Sequence, residues 1–145
     1  MLLAAESQAA GGTKGSTASL IVAGVVVRDS RLMAVRCLIV DDSDEFLASA
    51  SRLLEAQGME VVACATSSEQ ARQLAEDLAP DVVLVDVELG EEDGVELAQE
   101  LKARTPSTRA ILISAHDREE LGLLTNGVEF LPKSSLGAAA IEKLL

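Results

Sequence analysis

The chain has 145 residues, 48% of them apolar, and a formal net charge of −12. That length suits one domain around a single core, and the acid excess excludes the clustered Lys and Arg that docking on nucleic acid or an anionic membrane requires. Phe46 and Phe130 are the only aromatic residues, so the core must be built from Leu, Val, Ile and Ala.

Residues 1–35 read differently from the rest. "AAESQAAGGTKGSTAS" is small, polar and Gly-rich, the composition of a disordered segment. "LIVAGVVV" (20–27) is apolar but too short to span a bilayer. As the core of a signal peptide it has only Lys14 before it and no good small-residue cleavage site after it. The expectation is a disordered or mis-assigned leader over 1–35, with Met33 as an alternative start, and a folded domain over 36–145. Cys37 and Cys64 sit in apolar runs without a C-x-x-C, and His116 is the only histidine. Buried free thiols are therefore expected rather than a zinc site, in a cytoplasmic protein kept apart by self-repulsion.

From Arg36 onward a strand-like run alternates with a helix-like run five times. "RCLIVD" (36–41) is continuous and apolar, as a strand covered on both faces should be. Ser43–Gln57 places Phe46, Leu47, Ala50, Leu53 and Leu54 on one helical face, with Ser43 as N-cap and Gly58 as stop. "EVVACA" (60–65) is the second strand. The helix after it carries Ala71, Leu74, Ala75 and Leu78, with a capping box from Ser67 and Gln70 and an end before Pro80. "DVVLVDV" (81–87) is the third strand, and Asp93–Arg104 the third helix, ended before Pro106. "AILISA" (110–115), a short helix over 117–125, "VEFLP" (128–132) and a last helix capped by Ser135 complete the chain. This alternation predicts an α/β fold with a doubly wound, five-stranded parallel sheet.

In open parallel sheets, ligands bind beyond the carboxyl ends of the strands. There the sequence puts Asp41 and Asp42 after the first strand and Asp86 at the end of the third. Ser114 ends the fourth, and Lys133 follows the fifth. Three converging carboxylates repel one another unless a cation intervenes. A hard oxygen-ligand site suits Mg2+ together with phosphate oxygens. Lys133 supplies a positive charge for a phosphate oxygen and Ser114 a donor, while a carboxylate can serve as nucleophile toward phosphorus. Each residue also has a plainer reading: a helix N-terminus for the acidic pair, a turn for Asp86, a cap for Ser114 and a solvated side chain for Lys133. The joint placement at four strand ends favours the phosphoryl-transfer reading.

With these residues in place, the region 36–145 resembles the receiver domain of two-component response regulators. "LIVDDS", "VVLVDVELGEEDGVEL", "ILISA" and "FLPKS" fall in that family's order and spacing. The resemblance implies a flavodoxin-like strand order, 2-1-3-4-5, and phosphorylation of Asp86 by a sensor histidine kinase or a phosphotransfer protein. Phosphorylation would then switch binding to a downstream protein. It implies a Mg2+ site from Asp42, Asp86 and the backbone carbonyl of Glu88, with Asp41 acting through metal-bound water. Ser114 matches the switching hydroxyl, Lys133 the family's lysine, and Phe130 the aromatic switch position. Asp93–Gly94 matches the turn before the third helix. The resemblance implies no enzymatic turnover beyond self-phosphorylation and self-dephosphorylation, and the net charge of −12 argues against direct contact with nucleic acid or membrane.

Three departures accompany the match. Gly90 stands where the family often has Pro, four residues after the phosphorylated Asp. Ser134 stands where Pro usually follows the lysine, so a trans Lys133–Ser134 bond is expected. The stretch from Ser114 to Lys133 is short, so the fourth helix loses about a turn. Two other readings compete. Asp42-Ser43-Asp44 resembles the D-x-D of haloacid-dehalogenase-like phosphatases, with Asp42 as nucleophile, and the fold could also serve as an interaction module that is not phosphorylated. Within the family, the last helix leaves no length for a DNA-binding output unit after it, unless the chain is a fragment of a longer regulator.

Overall fold

The computed structural model describes residues 20–22, 25–27, 34–117, 119, 125 and 127–145. Strand β1 (Arg36–Val40) pairs in parallel with both β2 (Glu60–Ala65) and β3 (Val82–Asp86). β3 pairs with β4 (Arg109–Ser114), and β4 with β5 (Glu129–Pro132), again in parallel. The order is β2-β1-β3-β4-β5, the flavodoxin-like arrangement expected.

Side chains of successive strand residues point to opposite faces, and the apolar runs fill both. One face carries Leu38, Val40, Val83, Val85 and Leu112 and is covered by α2 (Ser68–Leu78) and α3 (Gly94–Arg104), through Ala71, Ala75, Leu97, Ala98 and Leu101. The other carries Cys37, Ile39, Leu84, Ile111 and Ile113. It is covered by α1 (Asp44–Ala56) and α4 (Ala138–Lys143), through Leu47, Ala50, Leu54, Ala138 and Ile141. β3 is buried along its whole length, in keeping with the unbroken apolar run Val82–Val85 that precedes Asp86. Phe130 packs half-buried against the first cluster. Cys37 is buried and Cys64 half-buried, both as free thiols. Burial pushes the Cys37 thiol up, aided by Cys64 nearby, so it stays protonated.

Helix ends follow local chemistry. Ser43 Oγ accepts the Phe46 N–H at 3.1 Å, and Asp44 and Glu45 occupy the first turn, where the helix dipole favours acid. Gly58, at φ +96°, lets the chain leave α1. Ser67 caps α2, but the Gln70 side chain reaches Thr66 N–H at 2.7 Å, one residue earlier than the box read from sequence. Asp93 Oδ1 accepts from Val95 N–H and Glu96 N–H and so starts α3.

The last helix departs from expectation. Lys133–Ser135 form a 3-10 turn, and α4 begins only at Ala138. Ser135 is not its cap. Gln57 Oε1, from the end of α1, accepts the Ala138 N–H at 2.6 Å instead. A side chain distant in sequence satisfies the free helix donor, which no local pattern could reveal. No described peptide bond is cis, so Lys133–Ser134 is trans as expected. The shortened fourth helix expected over 117–125 falls largely outside the described residues. So does most of the leader, in which Leu20–Val22 and Val25–Val27 pair antiparallel as a separate two-stranded sheet. No described helix is long and apolar enough to cross a membrane.

Candidate functional site

Strand register brings the singled-out residues to one edge. Val40 pairs with Val85, so Asp41 and Asp86 follow side by side. Asp86 pairs with Ile113, the residue before Ser114, and Ser114 pairs with Pro132, the residue before Lys133. The ladder continues past the strands through Asp41 N–H to Ala65 O at 3.0 Å and Val87 N–H to Ile113 O at 2.9 Å. Four side chains far apart in sequence are thus fixed by backbone hydrogen bonds.

One carboxylate oxygen from each of Asp41, Asp42 and Asp86 lies within 4.8 Å of the others. Asp41 is 1% exposed and Asp86 7%, whereas Asp42 faces solvent. Asp41 Oδ1 accepts the Ser43 N–H at 2.8 Å. Its buried Oδ2 has no hydrogen-bond donor aligned on it among the described residues, and its compensation is the Lys133 ammonium 2.7 Å away. Lys133 Nζ also stands 3.6 Å from Asp86 Oδ2. One ammonium against three clustered carboxylates leaves a negative excess, and the donors are all oxygens. The residues present therefore fit a hard divalent cation such as Mg2+.

Asp86 carries the cost of this crowding. Its carboxyl is raised from 3.8 to about 6, first by burial and then by Asp41, with Asp42 adding a little. Lys133 and the Glu88 N–H, which donates to Asp86 Oδ1 at 3.3 Å, hold it down. The loop that follows is a small hairpin, Glu88–Leu89 against Glu92–Asp93, turning at Gly90–Glu91 with Gly90 at φ +61°. Its second strand is tied to α2. Glu92 Oε1 accepts the N–H of Ser68, the first residue of α2, at 2.8 Å. At Gly94 an added Cβ would lie 1.8 Å from the Asp86 carbonyl oxygen. Only glycine lets α3 start directly against the strand that presents Asp86, which is the backbone need expected at that turn.

Ser114, also buried, ends β4, and its Oγ accepts the His116 N–H at 3.1 Å. The Glu88 side chain is exposed. Asp44, the second acid of the D-x-D reading, lies exposed in the first turn of α1 and is not among the three that converge.

Residues 37–135 match the family model of the response regulator receiver domain. The chain belongs to that family. It is 39% identical over 107 residues to the protein-glutamate methylesterase/protein-glutamine glutaminase of Alkalilimnicola ehrlichii, covering 70% of this chain and 27% of that relative. The chain therefore spans about a quarter of that relative's length. Among solved structures, it is 30% identical to the receiver domain of the NarL regulator from Mycobacterium tuberculosis, with a TM-score of 0.65 over 77% of this chain and 93% of that one. It is 28% identical to the response regulator domain of Thermotoga maritima CheB, with a TM-score of 0.59 over 77% and 91%.

The receiver domain contains one contact at this edge that sequence reading assigned only to the core. The ring of Phe46 lies under the Lys133 ammonium, 4.1 Å from Nζ to the ring centroid. Its position, four residues past Asp42 in the first turn of α1, is the signal that could have found it.

Proposed function

We propose that this receiver domain accepts a phosphoryl group on Asp86 from a sensor histidine kinase or a phosphotransfer protein and changes its binding to a downstream protein in response. The observation that carries this reading is the placement of Asp86. Its carboxylate is nearly buried at the end of β3, beside Lys133 and within 4.8 Å of two further acids. In the proposed step an Asp86 oxygen forms a bond to phosphorus while the P–N bond to the donor imidazole breaks. The imidazole keeps that electron pair and takes a proton from solvent. Lys133 neutralises charge on a phosphoryl oxygen, and the Ser114 hydroxyl turns from its own loop to donate to another.

Asp41, Asp42 and Asp86 with the Glu88 carbonyl would hold Mg2+, which when bound supplies charge neutralisation for the acids and the phosphoryl oxygens. Phe130, half-buried on β5 in register with Leu112, is the proposed aromatic reporter of the Ser114 movement. The product is a single acyl phosphate rather than a stream of released product, so the domain acts as a switch and not as an enzyme. The exposed position of Asp44 supports Asp86 over Asp42 as nucleophile. The proposed setting is the cytoplasm, in keeping with the acid-rich composition, and the proposed functional unit is 36–145, with 1–35 dispensable.

The test is treatment with acetyl phosphate and Mg2+ followed by mass spectrometry of the intact chain and of its peptides. One added phosphoryl group on the peptide containing Asp86, absent in Asp86→Asn, is the expected result. An undiminished adduct in Asp86→Asn would overturn the assignment. The chain lacking residues 1–32 should label at the same rate.

A further inference from the structure

Lys133 has an unusual set of neighbours for an ammonium at the edge of a sheet. Two of them are carboxylates, Asp41 Oδ2 at 2.7 Å and Asp86 Oδ2 at 3.6 Å. The third is uncharged: the face of the Phe46 ring, 4.1 Å from Nζ to its centroid, well inside the range at which a ring quadrupole attracts a cation. The two kinds of neighbour differ in one decisive respect. Asp41 and Asp86 belong to the acidic cluster, and a divalent cation there competes with the ammonium for the same oxygens. Phosphorylation of Asp86 would replace the other partner. The ring face changes with neither event.

We infer that Phe46 is a positioning residue: its ring is a charge-independent seat that keeps the Lys133 ammonium at the acidic cluster when the carboxylates are occupied by a cation or by a phosphoryl group. The inference rests on Asp86 being the phosphoryl acceptor for its functional part, while the seat itself is a property of the unmodified protein. Local structure supports it. Phe46 packs half-buried against the core cluster that includes Leu47, Leu54 and Leu131, and its own N–H is bonded to Ser43 Oγ. The Lys133 stem is longer and has more rotatable bonds than the phenylalanine side chain, so the lysine is the adaptable partner and the ring the fixed one.

The test has two readouts on the full chain. The first is the proton shift of the Lys133 ε-CH2 in protein labelled with 13C-lysine. Four lysines are present, and Lys133→Arg assigns the signal. Over a ring face this signal is displaced upfield of the other three. It should stay displaced when Mg2+ is added to the wild type and move to the position of the others in Phe46→Leu. That variant keeps apolar bulk but has no ring, and Phe46→Met serves the same purpose should Leu not fold. The second readout is the rate of acetyl phosphate labelling at saturating Mg2+. It should fall roughly three- to tenfold in Phe46→Leu, the scale of a partly desolvated cation–ring contact. Phe46→Tyr should restore it, and the Mg2+ midpoint from melting should be unchanged in both. A role in packing alone would not separate Leu from Tyr in this way.

A wild-type ε-CH2 signal that is not displaced, or one that collapses on Mg2+ addition, overturns the seat. So does labelling of Phe46→Leu at the wild-type rate. If the wild type takes no phosphoryl group at all, the proposed function fails, and the ε-CH2 signal still decides whether the seat exists.

Discussion

Lys133 stands closer to Asp41 than to Asp86: its Nζ lies 2.7 Å from Asp41 Oδ2 and 3.6 Å from Asp86 Oδ2. The short pair compensates the more deeply buried acid, since Asp41 is 1% exposed and Asp86 7%. Asp86 is left less neutralised, which suits the phosphoryl-acceptor role proposed for it. It also means that removing Lys133 harms Asp41 first.

Lys133→Met should therefore destabilise the domain, by about 2–4 kcal/mol in metal-free buffer, because it leaves a buried carboxylate without its partner. Much of that loss should return on adding Mg2+, since a cation at the cluster compensates the same oxygens. Urea melts in EDTA and in Mg2+ check both points. A variant as stable as the wild type in EDTA would show that the 2.7 Å pair does not stabilise the fold.

Asp86→Asn should stabilise the metal-free protein at neutral pH. The folded-state carboxyl is raised to about 6 against an ordinary 3.8, so the folded state binds the proton more tightly than the unfolded one. Stability associated with this group is present below pH 3.8 and is lost as pH rises through about 6. The rise corresponds to at most about 3 kcal/mol at neutral pH, and Asn, which cannot ionise, avoids it. Melts in EDTA should show the variant ahead at pH 7.5 and level with the wild type at pH 4. An advantage that is the same at both pH values would assign the effect to packing instead.

Gly94→Ala should be among the most damaging conservative changes in the domain. The added Cβ meets backbone, 1.8 Å from Asp86 O and 2.9 Å from Val87 O, and neither can give way like the end of a side chain. Relief requires α3 to move away from β3, at a cost of about 2–4 kcal/mol. The same shift displaces Asp86, so labelling by acetyl phosphate should fall more steeply than stability. Unaltered melting of the variant would mean that α3 can retreat without penalty.

Much of this was legible because parallel sheets are periodic and covered on both faces. The run Val82–Val85 could only be a central strand, and the register of its neighbours then fixed where Asp41, Asp86, Ser114 and Lys133 meet. What could not be read were contacts made by side chains across the fold. Gln57 replaces Ser135 as the donor's partner at α4, although Ser135 has the better local pattern, because a residue 81 positions away lies nearer in space. Gln70 closes its box on Thr66 rather than Ser67, a choice made by side-chain rotamer and not by spacing. Phe46 read as core because its spacing matches Leu47, Ala50 and Leu54. Helical periodicity reports which side faces the sheet but not that the first turn of α1 ends beneath the lysine that follows β5.

The last prediction concerns the cation. Oxygens from Asp41, Asp42 and Asp86 lie within 4.8 Å of one another, and a dication there relieves repulsion present only when the acids are ionised. Mg2+ should therefore raise the melting temperature at pH 7.5. At tenfold excess over its dissociation constant the gain is about 1.4 kcal/mol. Below about pH 6 Asp86 takes up a proton, proton and metal compete, and the gain should shrink at pH 5. Asp42→Asn should also reduce the gain at pH 7.5. Because Asp42 is exposed, that variant should differ little from the wild type in EDTA, within about 0.5 kcal/mol, which separates loss of a ligand from loss of structure. If the gain at pH 5 equals that at pH 7.5, or survives intact in Asp42→Asn, the ion binds elsewhere on this acidic chain and the cluster owes its stability to Lys133 alone.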